Sequence, residues 1–236
     1  MTMLTTQTTL AEIVTARPSS ARVLEARGLD YCCGGGATLL DACAAHDLDA
    51  DAVLTDLTAD ADDEAVPEWA TMSVAKLVDH LEGTHHQYLW DELPRLSALV
   101  DKVLSVHGER HPELAEIAAC YGVLRADLEP HLNKEEQMLF PMVRELAAAD
   151  SSPAFHCGSL QNPISVMLTE HDTVGELLAQ LRELTSGYQT PGDGCASYAA
   201  LFSGLAELET DTHLHVHKEN NVLFPAVVAL EQQLAS

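Results

Sequence analysis

HLNKEEQMLFPMV, residues 131–143, and HVHKENNVLFPAV, residues 215–227, are one motif written twice. His131 matches His215, Lys134 matches Lys218 and Glu135 matches Glu219 at an offset of 84 residues, and both copies run into Leu-Phe-Pro. An internal duplication means that the two segments are equivalent parts of one architecture. In each copy the histidine and glutamate are four residues apart, so they share a helical face, one turn apart. A single exposed pair of this kind adds only about 0.2–0.5 kcal/mol to a helix. Two copies, each leading into an apolar run, ask for more. Leu139 and Leu223 fall one turn beyond the glutamates, which turns both carboxylates toward the core. Buried carboxylates that face each other repel strongly unless cations lie between them.

Working outward, four long stretches carry apolar residues at helical spacing, roughly 73–106, 112–148, 163–186 and 195–232. The breaks between them, VHGERHP, AADSSPAFHCGSLQNP and TSGYQTPGDG, are rich in turn residues. Nothing alternates with the period of two that marks a strand. The predicted fold is all-α, with an antiparallel four-helix bundle over residues 66–236. Residues 1–65 read as a small helical domain. Thr9 caps LAEIVTA, Pro18 opens PSSARVLEARG and Gly28 closes it, and ATLLDACAAHDL and DADAVLTDL supply two more helices. The acidic ADADDEAVPEW, 59–69, leads from the last small helix into a linker, with the boundary near residue 65.

The first and third bundle helices must then supply ligands of their own. On the third, Ile164, Met167, Val174, Leu178 and Leu181 mark the inner face, and His171 lies within it. On the first, THHQYLW offers His85 and His86. Regular helical periodicity puts His85 nearer the middle of the apolar stripe, whereas His86, 85 residues before His171, fits the duplication better. Spacing alone leaves the two open. Four histidines and two glutamates exceed a tetrahedral zinc site and suit two metals, with two histidines on each and each glutamate able to bridge. Imidazole and carboxylate without thiolate fit iron or manganese, with zinc as a substitute in vitro. The His–Glu order differs from the Glu-x-x-His of ferritin-like bundles. Asp127 and Asp211 each precede a motif histidine by one turn, where a carboxylate can accept the ring N–H that faces away from a metal. Ordinary exposed helix charge is the alternative. His213 and His217 flank His215 and are expected to point elsewhere.

The chain has 236 residues, 47% of them hydrophobic and 5% aromatic, enough for a well-buried helical core. Against 37 acidic residues stand 12 basic ones, a formal charge of −25. Such a surface repels phosphate backbones and anionic lipid, so neither nucleic acid nor membrane is expected as a partner. No run approaches the roughly 18 apolar residues of a membrane span. The N-terminal MTMLTTQTTLAEIV lacks the basic-then-apolar layout of a signal peptide, and a cytoplasmic location is expected. There, cysteines serve as free thiols, ligands or redox groups more often than as disulfides. DYCCGGG, Asp30–Gly36, sets Cys32 beside Cys33, which can join only through a strained ring and is not a CxxC redox motif. The glycines permit close backbone approach, and the helix that follows is expected to lower the pKa of a neighbouring thiol.

DYCCGG near the N-terminus, PISVM and EHD within 163–172, HLNKEEQMLFPM and HVHKENNVLFP, in this order, resemble the Repair of Iron Centres family. The resemblance covers nearly the whole chain. It implies a haemerythrin-like bundle behind a small helical domain that bears the vicinal cysteines. It also implies two non-haem iron ions, ligated by His86, His131, Glu135, His171, His215 and Glu219, with Glu135 and Glu219 bridging. Asp79-His80 before the pair and Leu93-Pro94 after it keep the family's register and favour His86 over His85. Glu170 and Asp127 match acidic residues near a solvent channel, Asp127 standing where a glutamate is frequent. The function implied is repair of iron–sulfur clusters damaged by nitrosative or oxidative stress, through iron donation or nitrosyl handling. Damaged iron–sulfur proteins and nitric oxide or dioxygen are the implied partners, and a homodimer is compatible with them. A haemerythrin-like protein that binds NO or O2, or reduces NO, without repairing anything is the alternative. Cys32 and Cys33 then read as accessory thiols for transient metal, NO or partner exchange. One departure stands out: Pro130 immediately precedes His131, where loss of a helical hydrogen bond costs about 3 kcal/mol and predicts a kink or bulge.

Overall fold

A computed structural model describes residues 4–59 and 67–236. The expected domain boundary near residue 65 and most of the acidic linker lie outside the described residues. Four short helices come first: α1 (Leu10–Ala16), α2 (Ser20–Glu25), α3 (Leu39–Ala45) and α4 (Ala50–Ala59). Thr9 and Glu12 start α1 with a reciprocal cap. The Glu12 backbone N–H donates to Thr9 Oγ1 at 3.2 Å, and the Thr9 backbone N–H donates to the Glu12 carboxylate at 3.0 Å. Thr38 starts α3 by accepting the Asp41 N–H at 3.1 Å. Gly28, at φ 68°, takes the left-handed conformation that lets the chain leave α2 without a side-chain clash.

Four rods then form the bundle. The first is α5 (Val74–Leu81) with α6 (Gln87–His107), and the second α7 (Glu113–Lys134) with α8 (Phe140–Ala148). The third is α9 (Gln161–Leu184), and the fourth α10 (Ala196–Lys218) with α11 (Phe224–Leu234). Single π turns, Glu82–His86, Glu135–Leu139 and Glu219–Leu223, join the halves of the three paired rods. A π turn bonds i to i+5 and so inserts one residue into an otherwise continuous helix. Pro130 does not cause the second bulge. α7 continues through Pro130 to Lys134, the bulge begins only at Glu135, and the matching bulge on the fourth rod follows Leu214, not a proline.

Two apolar clusters fill the bundle, one on each side of the π turns. Leu89, Leu93, Tyr121, Leu124, Leu178 and Leu205 belong to the first, and Leu81, Phe140, Val143, Ile164, Phe224 and Val227 to the second. Each such side chain contributes about 1.5–3 kcal/mol by leaving water. The layer between the clusters is therefore shielded from solvent at both ends. Along every rod, the histidines and glutamates of the sequence motifs fall in that layer.

The small helices build their own core from Leu10, Ile13, Leu24, Tyr31 and Leu39, and it extends onto Val216 of α10. Polar contacts fix this seat. His217 donates from Nδ1 to the Tyr31 carbonyl at 3.3 Å and accepts the Thr15 hydroxyl at Nε2, 3.1 Å. Burial holds His217 down to about 4, the neutral form that this pairing requires. Among the described residues there is no β-strand, and no helix is long and apolar enough to cross a membrane.

Candidate metal centre

Six side chains converge in the polar layer: His86, His131, Glu135, His171, His215 and Glu219, none more than 2% exposed. They form two overlapping sets of donors. His86 and His215 join Glu135 and Glu219 in one, and His131 and His171 join the same two glutamates in the other. Within each set the ligating atoms lie within 4.8 Å of one another. The closest approaches from imidazole Nε2 to carboxylate oxygen are 3.5 Å for His86–Glu135, 3.4 Å for His131–Glu135, 3.2 Å for His171–Glu219 and 3.1 Å for His215–Glu219. Nitrogen and oxygen donors about 2.0–2.2 Å from a common first-row ion stand at about this separation. His86 Nε2, both Glu135 oxygens and Glu219 Oε2 are buried and have no hydrogen-bond partner among the described residues. Unpaired carboxylate oxygens at this depth are costly, and metal ions would satisfy them. The donor set fits a dinuclear site.

Outer contacts aim the rings. His86 donates from Nδ1 to Glu136 at 3.0 Å, His131 to Glu170 at 2.9 Å and His171 to Asn220 at 2.7 Å. Each bond engages Nδ1 and turns Nε2 toward the centre, where a bound metal would take the place of its proton. Trp90 steadies Glu136 from Nε1 at 2.7 Å, and Lys134 pairs with Glu170. The sequence points to Asp127 and Asp211 as acceptors, and neither holds the histidine on its own rod. The reason is directional: an inward ring turns its far nitrogen toward a neighbouring rod, beyond reach of a side chain one turn back. Asp127 instead lines a cavity of about 230 Å³ with Pro130, Lys134 and Glu170. Asp211 accepts from His85 Nδ1 at 2.8 Å, and His215 Nδ1 has no hydrogen-bond partner among the described residues.

The π turn at Glu82–His86 brings both adjacent histidines inward, and their surroundings separate them. Both His85 nitrogens are engaged, Nδ1 by Asp211 and Nε2 by the Lys218 ammonium at 2.7 Å. Burial presses His85 down to about 4 and Lys218 down to about 8, so the lysine donates and the imidazole accepts. Lys218 also reaches His80 at 3.0 Å and lies over the Trp69 ring. His85 stacks on His215 with centroids 5.3 Å apart. It supports the layer from behind while His86 enters it.

The electrostatics follow from the two shared carboxylates. Burial opposes charge on His131, but Glu135 outweighs it and carries the imidazole up to about 9. Burial likewise works to raise Glu219, yet His215 and His171 hold it well below the usual carboxylate range. Negative charge at the centre thus draws positive charge to itself.

Residues 77–227 match the "Hemerythrin HHE cation binding domain", and residues 6–61 match a domain of unknown function, DUF542. The iron–sulfur cluster repair protein YtfE of Enterobacter sp. (strain 638) is 33% identical over 222 residues, which cover 94% of this chain and 97% of the relative. Those of Citrobacter koseri and Escherichia coli O1:K1 are 32% identical over the same shares. The chain belongs to the Repair of Iron Centres family.

In this Repair of Iron Centres chain the vicinal cysteines are held by Asp30. Its carboxylate accepts the backbone N–H groups of Cys32 and Cys33, both at 2.9 Å, that of Gly34 at 2.8 Å, and the Cys32 thiol at 3.1 Å. The two sulfurs are 3.9 Å apart. The expected lowering by a helix N-terminus is not found at Cys32, because α3 begins only at Leu39 behind its own Thr38 cap. The hydrogen bond to Cys33 and then burial push the Cys32 thiol well above its ordinary range. Cys33 is half-buried and opens, with Cys32, onto a cavity of about 670 Å³ walled by α9 and α10.

Sequence reasoning missed Glu136, Asn220, Lys218 and Trp90. A signal for three of them was present: Glu136 and Asn220 each directly follow a motif glutamate at the same place in the duplication, and Lys218 recurs opposite Lys134.

Proposed function

We propose that the chain is a cytoplasmic di-iron protein that repairs iron–sulfur clusters damaged by nitrosative or oxidative stress. The observation that carries the dinuclear part is the sharing of Glu135 and Glu219 between two sets of buried donors. His86 and His215 would hold one iron, His131 and His171 the other, and the glutamates would bridge. The N/O donor set without thiolate suits iron. Support for the repair role comes from the family and from relatives that carry that name along almost their entire length. Damaged iron–sulfur proteins are the proposed clients, with nitric oxide or dioxygen as the small molecules met on the way.

Bound iron would supply redox chemistry and an exchangeable metal. The protein's own part is preparation. The two apolar clusters exclude water at both ends of the layer. Glu136, Glu170 and Asn220 hold three rings in the ligating tautomer. On the His131 side, Glu170, which accepts from His131, borders the smaller cavity with Lys134 and Asp127. We assign that side to exchange with solvent.

The test is to add the reduced, iron-loaded protein to a nitrosylated iron–sulfur hydratase and follow recovery of hydratase activity, with Cys32→Ser/Cys33→Ser protein in parallel. Recovery that depends on the loaded bundle is expected. Rapid NO consumption without recovery under any condition would overturn the repair reading in favour of a gas-handling protein.

A further inference from the structure

His86 and His171 sit in different donor sets, and each is fixed by the residue that follows a shared glutamate. Glu136 takes the His86 proton at 3.0 Å and Asn220 takes the His171 proton at 2.7 Å. The two acceptors hold one position in the duplication, 84 residues apart, but differ in what else they touch. Glu136 turns back into the bundle and receives the Trp90 N–H. Asn220 leads out of it. Its Nδ2 donates to the Cys32 carbonyl at 3.4 Å and reaches Cys33 Sγ at 3.9 Å.

The chemistry of the side chain makes this link specific. An amide accepts at one atom and donates at the other, whereas a carboxylate only accepts. The Cys32 carbonyl can only accept, so it fixes the amide with nitrogen toward the thiol turn and oxygen toward the ring, and His171 Nδ1 therefore carries the proton that Asn220 receives. Asn221 holds the same turn, donating to the Cys32 carbonyl at 2.9 Å, so the turn cannot drift freely from Asn220. Three side chains, Cys33, Asn220 and His171, thus connect an accessible thiol to the inside of the polar layer.

We propose that Asn220 is a positioning residue that couples the cysteine turn to one of the two metal positions, so that modification of Cys33 alters His171 and leaves His86 unchanged. The coupling deepens the di-iron reading and rests on it for its consequence at the metal; the hydrogen-bonded chain itself needs no ion. Two positions with the same ligand types become distinguishable. One answers to the thiols, and the other is insulated behind Glu136 and Trp90.

The experiment uses the full chain in a Cys157→Ser/Cys195→Ser background, which leaves Cys33 as the accessible thiol because Cys32, Cys43 and Cys120 are buried. Histidine ring nitrogens are followed by NMR on metal-free protein, before and after alkylation with iodoacetamide. The His171 Nδ1 resonance is expected to move and that of His86 to stay. Asn220→Asp keeps the acceptor for His171 and loses the donor to the turn, and Asn220→Ala loses both. In either variant the response of His171 to alkylation should vanish, and the aspartate variant keeps the test alive if the alanine variant does not fold. An unchanged response in Asn220→Asp, or none in the parent protein, would overturn the proposal. A second arm loads two equivalents of ferrous 57Fe and records Mössbauer spectra, where one quadrupole doublet is expected to shift on alkylation. Equal shifts of both doublets would contradict the coupling. Failure to bind two irons while His171 still answers to Cys33 would uphold the coupling and remove the di-iron reading.

Discussion

Asp211 lies one turn before His215 on α10, yet its carboxylate accepts from His85 on the first rod, 2.8 Å away. With Lys218 on the other nitrogen, His85 is saturated by protein groups. Its neighbour His86 keeps Nε2 without a hydrogen-bond partner among the described residues and aimed at the shared glutamates.

Substitution at these adjacent positions should therefore have different results. His86→Ala removes a donor from one set, and metal bound after gel filtration should fall from two ions per chain to one or fewer. His85→Ala should retain both ions, with affinity reduced by no more than the ~10–100-fold typical of groups behind a ligand. Equal losses in the two variants would show that the histidines share the ligand role.

Glu136 accepts from both His86 and Trp90. Glu136→Gln should weaken metal binding by about 10–100-fold in a chelator competition titration. Trp90 fluorescence should change in the same variant, since its N–H loses a charged acceptor. Glu170→Gln should weaken binding similarly through His131 and leave Trp90 emission unaltered.

The glycines after the cysteines are not equivalent. A Cβ on Gly35 would meet the Tyr31 carbonyl at 2.5 Å and Asn221 Oδ1 at 2.9 Å, whereas one on Gly36 meets nothing within 4 Å among the described residues. Gly35→Ala should destabilise the chain by about 1–3 kcal/mol in urea unfolding. It should also speed proteolysis in the small helices, because Asn221 is part of their seat. Gly36→Ala should stay within about 0.5 kcal/mol of the parent.

Cys195 is exposed at the start of α10, with His107 Nε2 at 3.3 Å from its sulfur. The Tyr198 backbone N–H and then His107 lower its thiol to about 7. Thiolate is the reacting form, so alkylation of Cys195 should rise with pH, reach half its maximum near pH 7 and fade below it. In His107→Ala the midpoint should move up toward the ordinary thiol value of about 8.5. An unchanged midpoint would remove His107 from the account.

The bundle was legible because burial leaves a stripe at helical spacing. The stretch 112–148 became Glu113–Ala148, and 73–106 became Val74–His107. The duplication likewise marks the His–Glu pairs in the sequence. Periodicity failed at His85 and His86 because it assumes an unbroken α-helix, and a π turn lies across both. It failed again for Asp127 and Asp211, because spacing within one helix says nothing of which neighbouring rod a ring nitrogen meets. Pro130 drew attention as a local rule-breaker, yet the bulges follow the glutamates in both copies. The seat of the small helices on α10, made by His217 and Asn221, depends on contacts between distant segments that no local pattern records.

The most direct test of the central claim is iron stoichiometry and magnetic coupling in anaerobically purified protein, by metal analysis with Mössbauer spectroscopy. Sharing of Glu135 and Glu219 predicts two irons per chain in a coupled pair, with both disturbed when either glutamate is replaced by alanine. A single iron, or two irons that do not couple and respond to the two substitutions separately, would contradict it.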